Sequence, residues 1–274
     1  MTEEKKLTGY PSIDKPWLKY YSEEAINAPL PECTIYEYLW ENNKDHLTDT
    51  AIIYFGRKVT YKELFENIDK TASAFLTAGV KEKEIVTVAL PSIPEALYCV
   101  YALNKIGAVA NMIHPLAGRE ETLHYFNEVQ SRIVVILDSA YTVIADDIGN
   151  SSVEKVIVAS PSDSLPLALK VAYKMKVKTP DLDGKAFQSW KQFIREGKDT
   201  PIMAARKSCH EMAIISHTGG TTGEPKGVMC SDTNINALIY QIIRNFEYSR
   251  QETCLVVLPP FVNYSLVESM MAML

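Results

Sequence analysis

Between Thr218 and Gly227 the chain reads Thr-Gly-Gly-Thr-Thr-Gly-Glu-Pro-Lys-Gly, with four glycines, three threonines and one lysine in ten consecutive positions. The chemistry these residue types share is the wrapping of a polyphosphate. Glycine has no Cβ, so its backbone takes positive φ readily and brings N–H groups close to an anion, while hydroxyls and an ammonium add directed donors and charge. An ordinary glycine-rich turn between two strands is the plainer alternative; the ordered alternation of Thr and Gly, followed by Pro225-Lys226-Gly227, favours phosphate. Spacing excludes two commoner phosphate loops. The nucleotide-triphosphatase loop needs Gly-Lys-Ser/Thr, but Lys226 follows Pro225 and precedes Gly227,. The dinucleotide fingerprint needs Gly-x-Gly-x-x-Gly, and no three of these glycines have that spacing,.

The same ten residues match without a gap the signature loop of the adenylate-forming enzymes, the superfamily of acyl-CoA and aryl-CoA synthetases, luciferases and peptide-synthetase adenylation domains, and the chain resembles that family from about Thr34 to Leu274. Val59-Thr60-Tyr61-Lys62-Glu63-Leu64 resembles an early motif of the family and Leu103–Leu116 a second shared segment. The resemblance implies attack of a small-molecule carboxylate on the α-phosphate of ATP, giving an acyl-adenylate and pyrophosphate, then a thioester with CoA. It implies hydroxyl donors from Thr218, Thr221 and Thr222, backbone N–H donors from Gly219, Gly220 and Gly223, and a catalytic charge from Lys226 beside the departing pyrophosphate. Mg2+ is implied as well, though no carboxylate of this chain matches the family's metal-binding position. The Thr-Gly-Gly form of the loop and an aromatic-rich amino-terminal arm resemble fatty-acyl-CoA synthetases.

Two departures bear on the substrate. Pro259 to Ser265 resembles a Pro-x-Phe-His-x-x-Gly motif that lines the acyl or aryl pocket, with Val262 in place of the histidine and Ser265 in place of the glycine. Val262, Asn263 and Tyr264 are therefore the pocket candidates. Asp232 stands where many members have histidine. The adenine-, ribose- and metal-binding elements of the family and its mobile C-terminal domain have no counterpart here, so the expectation is an incomplete large N-terminal domain, not fully active alone, whose partner is the missing C-terminal part. An adenylation domain that loads a carrier protein and a non-catalytic nucleotide-binding protein remain as alternatives.

Composition frames these readings. With 274 residues, 47% hydrophobic and 23% charged, the chain is globular, and a net charge of −6 argues against nucleic acid as an obligate partner,. No run of 18 apolar residues is present, so a cytoplasmic protein with at most peripheral membrane contact is expected,. Five cysteines without a Cys-x-x-Cys suit reduced thiols rather than a disulfide framework or a zinc site,.

The elements that must position the loop follow from periodicity. Thr34 and Glu37 form a capping box for a helix to about Asn43, Thr50 to Phe55 and Arg57 to Val59 form a hairpin turned at Gly56, and Thr60 to Glu63 is a second capping box before a helix ended by Gly79. Strands are then expected at 85–90, 108–113, 133–137 and 153–159, separated by helices over 95–106 (capped by Ser92), 119–130 and 141–148. Apolar strands alternating with helices imply an α/β fold, a mainly parallel sheet covered by helices. Leu167 to Lys178 reads as a basic amphipathic helix, of a kind that sometimes touches membranes but at this short length is favoured as a solvated surface helix, and a further helix surrounds Trp190 and Phe193. A strand at 212–216 enters the loop, one at 227–230 leaves it, and Asp232 caps a helix over 234–246. Another strand is expected at 254–258, then the start of a helix within 265–274. His114, before Pro115, reads as a hydrogen-bonded turn residue rather than a base. The expected organisation is an arm (1–33), a first α/β subdomain (34–200) and the start of a second, carrying the loop (201–274).

Overall fold

The computed structural model describes residues 7–146, 148–177, 180, 182, 186–197, 202–205, 207–218, 225–246 and 248–274. The arm holds two short helices, α1 (Pro11–Asp14) and α2 (Glu23–Asn27). Behind it come α3 (Ile35–Asn43), the strands β1 (Thr50–Tyr54) and β2 (Arg57–Thr60), and α4 (Tyr61–Thr77). The α/β body runs β3 (Ile85–Ala89), α5 (Pro94–Lys105), β4 (Val109–Met112), α6 (Arg119–Glu128), β5 (Ile133–Leu137), α7 (Tyr141–Ile144), β6 (Lys155–Ala159), α8 (Leu167–Lys176), β7 (Phe187–Ser189) and α9 (Trp190–Glu196). It closes with β8 (Met212–Thr218), β9 (Lys226–Ser231), α10 (Asp232–Asn245) and α11 (Asn263–Ala272).

β1 and β2 form an antiparallel hairpin, and β3 to β9 form one sheet in the order β7-β6-β5-β3-β4-β8-β9, parallel except at the β8–β9 pair. Alternation along each strand sends side chains to two faces. Val86, Val88, Ile133, Val135 and Ile157 pack with α4, α5 and α9, whereas Val134, Ile136, Val156 and Val158 pack with Tyr125 and Phe126 of α6. Apolar residues at consecutive strand positions are thus accounted for by a sheet covered on both sides, as the α/β reading required. The sheet also runs across residue 200, since β4 pairs with β8; a folding boundary there remains a proposal.

Capping accounts for the helix starts, with three corrections. Thr34 and Glu37 make the expected reciprocal box. At α4 the Thr60 hydroxyl accepts from Glu63 N, but the Glu63 carboxylate pairs with Arg57 instead of reaching back. Ser92 does not cap α5: Ile93 is the N-cap and Pro94 opens the helix, its missing N–H removing one donor that would need a cap,. Nor does Asp232 cap α10. Ser231 does so, in a box with Asn234, because the Asp232 carboxylate is used inside the protein. Finally, residues 254–258 are not a strand. They have no neighbouring strand to pair with among the described residues, and an apolar run without a ladder partner stays irregular.

Asp232 is fully buried and forms an ion pair with Lys207 at 2.8 Å. Its Oδ1 accepts from Ile35 N at 3.0 Å and Asn104 Nδ2 at 2.5 Å, and Asn104 Oδ1 in turn accepts from Tyr36 N at 2.9 Å. One carboxylate thereby joins α10 to the N-terminus of α3, to α5 and to the segment before β8. A second buried carboxylate is less well served. Glu95 Oε1 accepts the Ser164 hydroxyl at 2.6 Å, while Oε2 has no hydrogen-bond partner among the described residues. Burial pushes its carboxyl from 4.5 up to about 7,.

Removing the negative charge in Asp232→Asn leaves Lys207 buried without a counter-charge, and urea unfolding should show a loss of about 3–5 kcal/mol; adding Lys207→Met should recover part of it. For Glu95 the native state keeps a proton that the unfolded chain has released between pH 4.5 and about 7. Stability should therefore fall as pH rises through that window, by on the order of 3 kcal/mol. Glu95→Gln should flatten this dependence in urea titrations across the same range.

Candidate functional site

The loop is held between two unequal strands. β8 is a core strand, buried from Ala213 to Ser216, and its side chains emerge only at His217 and Thr218. β9 is the edge of the sheet, exposed from Lys226 to Met229. A register shift between Met212 and Ile214 precedes the regular ladder, which ends with His217 opposite Gly227 and Thr218 opposite Lys226. The two donors expected at the ends of the loop are therefore register partners at its mouth, both exposed, with the Thr218 hydroxyl donating to Lys226 O at 3.4 Å. No ion pair engages Lys226 among the described residues. Gly219, Gly220, Thr221, Thr222 and Gly223 lie outside the described residues.

Below the mouth sits a polar relay that spacing along the sequence did not reveal. Ser131 Oγ donates to Ile85 O at 3.3 Å, so it accepts from Thr87 Oγ1 at 2.6 Å; Thr87 accepts from Asn111 Nδ2 at 2.9 Å. Asn111 Oδ1 is then left to accept from His217 Nε2 at 2.8 Å. A backbone carbonyl at one end fixes every donor in the chain, including the His217 tautomer. The imidazole packs on Tyr125, ring centroids 4.4 Å apart, and burial holds its pKa below the usual histidine range. It is neutral at pH 7, with Nδ1 as a buried acceptor that has no partner among the described residues. Gly227 passes close by: a Cβ there would meet Ile215 Cγ2 at 3.2 Å and His217 Cε1 at 3.4 Å. Asn111 and His217 are 106 positions apart, and only the pairing of β4 with β8 brings them together.

The pocket candidates divide. Val262 is the N-cap of α11 and Asn263 its first residue, with Asn263 Oδ1 accepting from Ser216 Oγ of β8 at 3.4 Å. Tyr264 is exposed. His114 does serve a turn, its Nδ1 accepting from Leu116 N at 2.9 Å, and its ring packs on Phe261 at 4.6 Å. A cleft of ≈ 680 Å³ opens near the carboxyl ends of β3 and β6, lined by Phe55, Ser92, Leu165, Leu169, Tyr173 and Val257. Among the described residues no cluster of three His, Cys, Asp or Glu side chains could hold a metal ion, and all five cysteines are free. No helix among the described residues is long and apolar enough to cross a membrane.

The family model for "AMP-binding enzyme" matches residues 39–274. The chain belongs to that family. Among curated relatives it is 27% identical over 230 residues to a long-chain-fatty-acid–CoA ligase of Bacillus subtilis (strain 168), covering 81% of this chain and 41% of that protein. It is 27% identical over 264 residues to a probable 4-coumarate–CoA ligase 1 of Dictyostelium discoideum, covering 93% and 46%. The chain thus spans less than half the length of these relatives. A solved structure of a long-chain-fatty-acid-CoA ligase (FadD1) from Archaeoglobus fulgidus superposes with a TM-score of 0.74 at 22% identity, covering 89% of this chain and 46% of that one. ATP-bound MatB from Rhodopseudomonas palustris superposes with a TM-score of 0.70 at 19% identity, covering 89% and 44%. These neighbours show the fold that the AMP-binding family member shares.

Asn111→Ala should leave both His217 Nε2–H and the Thr87 hydroxyl short of a partner, at a cost of about 1–3 kcal/mol in urea unfolding. Nitrogen NMR of the His217 ring should report the Nε2–H tautomer in the parent protein and a mixture of tautomers in the variant.

Proposed function

We propose that this chain forms the ATP-phosphate half of an AMP-forming acid–thiol ligase that converts a fatty acid to its acyl-adenylate and then to a CoA thioester. The observation that carries the reading is the hairpin mouth, where Thr218 and Lys226 face each other in register at the ends of a glycine- and threonine-rich loop. One end of this loop is anchored in the core and the other lies on an exposed edge, which suits a lid that closes over a polyphosphate. Lys226, exposed and without an ion pair among the described residues, is available to offset charge on the departing pyrophosphate. Positioning and charge stabilisation are what such chemistry asks of a protein. Thr221 and Thr222 would add hydroxyls, and Gly219, Gly220 and Gly223 backbone donors.

Mg2+ would arrive with ATP and lower the repulsion between its phosphates; the described residues hold no cluster of three His, Cys, Asp or Glu side chains that could bind it. The acceptor CoA is inferred from the ligases that the chain resembles, one of which is named for long-chain fatty acids. A fatty acid also fits the ≈ 680 Å³ cleft, whose apolar wall includes Val257 and Pro259. From there the chain continues to Val262 and Asn263, and Asn263 touches β8.

The full-length protein should catalyse ATP–pyrophosphate exchange that depends on added carboxylic acid, with long-chain acids preferred in a panel. Absence of exchange with every acid overturns the ligase; exchange confined to short or aromatic acids overturns the fatty-acid assignment alone. Lys226→Gln should lower kcat/KM by roughly tenfold to a hundredfold, about 1.4–2.7 kcal/mol, with an unchanged thermal midpoint because the side chain is exposed.

A further inference from the structure

Helix α8 presents an unusual outer surface. Leu167, Val171 and Met175 recur every four residues and form a stripe, exposed by 79%, 52% and 83%,. Lys174 borders the stripe on one side and Lys176 on the other, both exposed. From Ser164 to Val177 the sequence contains no acid, in a chain whose net charge is −6. Among the described residues, Asp138 accepts the Tyr173 hydroxyl, and Asp163 is close enough to feel the charges of Lys170 and Lys174. Apolar residues flanked by lysines on a short helix are the pattern of a segment that lies in a membrane interface.

A second exposed apolar element lies across the cleft from α8. The β1–β2 turn is a two-residue loop, Phe55-Gly56, with φ of +47° and +82°. Such turns favour Asn, Asp or Gly at the first position, because a bulky residue is strained at positive φ. Phe55 nonetheless occupies it, 67% exposed and making its ring contact with Tyr54, a neighbour in sequence. Phe55 lines the ≈ 680 Å³ cleft from one side, and Leu169, Ala172 and Lys176 of α8 line it from another. The strained aromatic and the inner face of α8 thus border one opening, while Leu167, Val171 and Met175 lie on the helix's outer face,.

We propose that the outer face of α8 and the Phe55 turn dock the protein on an anionic lipid bilayer. Charge complementarity selects the partner: the basic border of the stripe is attracted to a negative surface, whereas the rest of the chain is acidic. Phe55 and the aliphatic side chains of the stripe enter the interface, and Lys174 and Lys176 meet the headgroups. This docking stands whether or not the ligase reading does, since it concerns adsorption and not turnover.

The test is flotation of the full-length protein with vesicles of phosphatidylcholine alone or with added phosphatidylglycerol, without ATP. Binding is expected with phosphatidylglycerol and should be released by salt. Lys174→Glu/Lys176→Glu should weaken it by roughly tenfold or more. Phe55→Asn separates binding from folding: the turn accepts Asn with less strain, so the thermal midpoint should hold or rise while vesicle binding falls. No binding to anionic vesicles overturns the proposal, as does binding that Phe55→Asn and Leu167→Ser/Val171→Ser/Met175→Ser leave unchanged. Self-association that is lost in the stripe variant, without vesicle binding, would identify a second copy as the occupant and would likewise overturn it.

Discussion

The buried ion pair between Asp232 and Lys207 is the constraint on which the geometry of the loop depends. A carboxylate with no solvent exposure has lost its hydration, and attraction to one ammonium offsets that loss only when its remaining lone pairs are also satisfied,. Ile35 N and Asn104 Nδ2 satisfy Oδ1, whereas Oδ2 has the ammonium as its one partner among the described residues, by charge and not by a hydrogen bond. The arrangement tolerates little displacement, because separating the partners leaves charge in the interior. Asp232 directly follows β9, so the strand leaving the phosphate loop ends at a fixed point, while the opposite strand enters from the sheet core. The pair contributes position more than net stability.

The asymmetry of the two strands follows from the sheet. β8 pairs with β4 on one side and β9 on the other, and its interior residues are buried; β9 has no further neighbour and shows Val228 and Met229 to solvent. Backbone ladders at an exposed edge open at lower cost than those in a core. Opening at the mouth would begin on the Lys226 side, with Thr218 staying in register with the core. His217 and Asn111 beneath keep the entry strand in place.

Much of this was legible in the sequence, for identifiable reasons. Buried strands such as Ile133–Leu137 announce themselves as continuous apolar runs, and α4 repeats its buried residues at helical spacing, so the α/β body followed from pattern alone. Local chemistry was also readable at Thr34–Glu37 and at His114, whose partners lie within three residues. What was not readable depends on residues far apart. Asp232 looked like a cap because an acid before a helix usually is one; the competing demand of Lys207 exists only after folding. Residues 254–258 have strand composition and, among the described residues, no strand to pair with. The relay from Ile85 to His217 draws on four separate segments, none with a recognisable motif.

That relay also limits what His217 can do. Its Nε2–H is committed to Asn111, so the remaining nitrogen is a lone-pair acceptor. Phosphate oxygens at neutral pH are acceptors too, and two acceptors do not bind each other. Protonation would turn Nδ1 into a donor, but burial lowers the pKa and opposes it,. His217 is thus unsuited to holding phosphate directly, although it adjoins the loop. Under the proposed function, phosphate recognition would fall to Lys226, the threonines and the glycine backbone, with the histidine ordering the foot of β8.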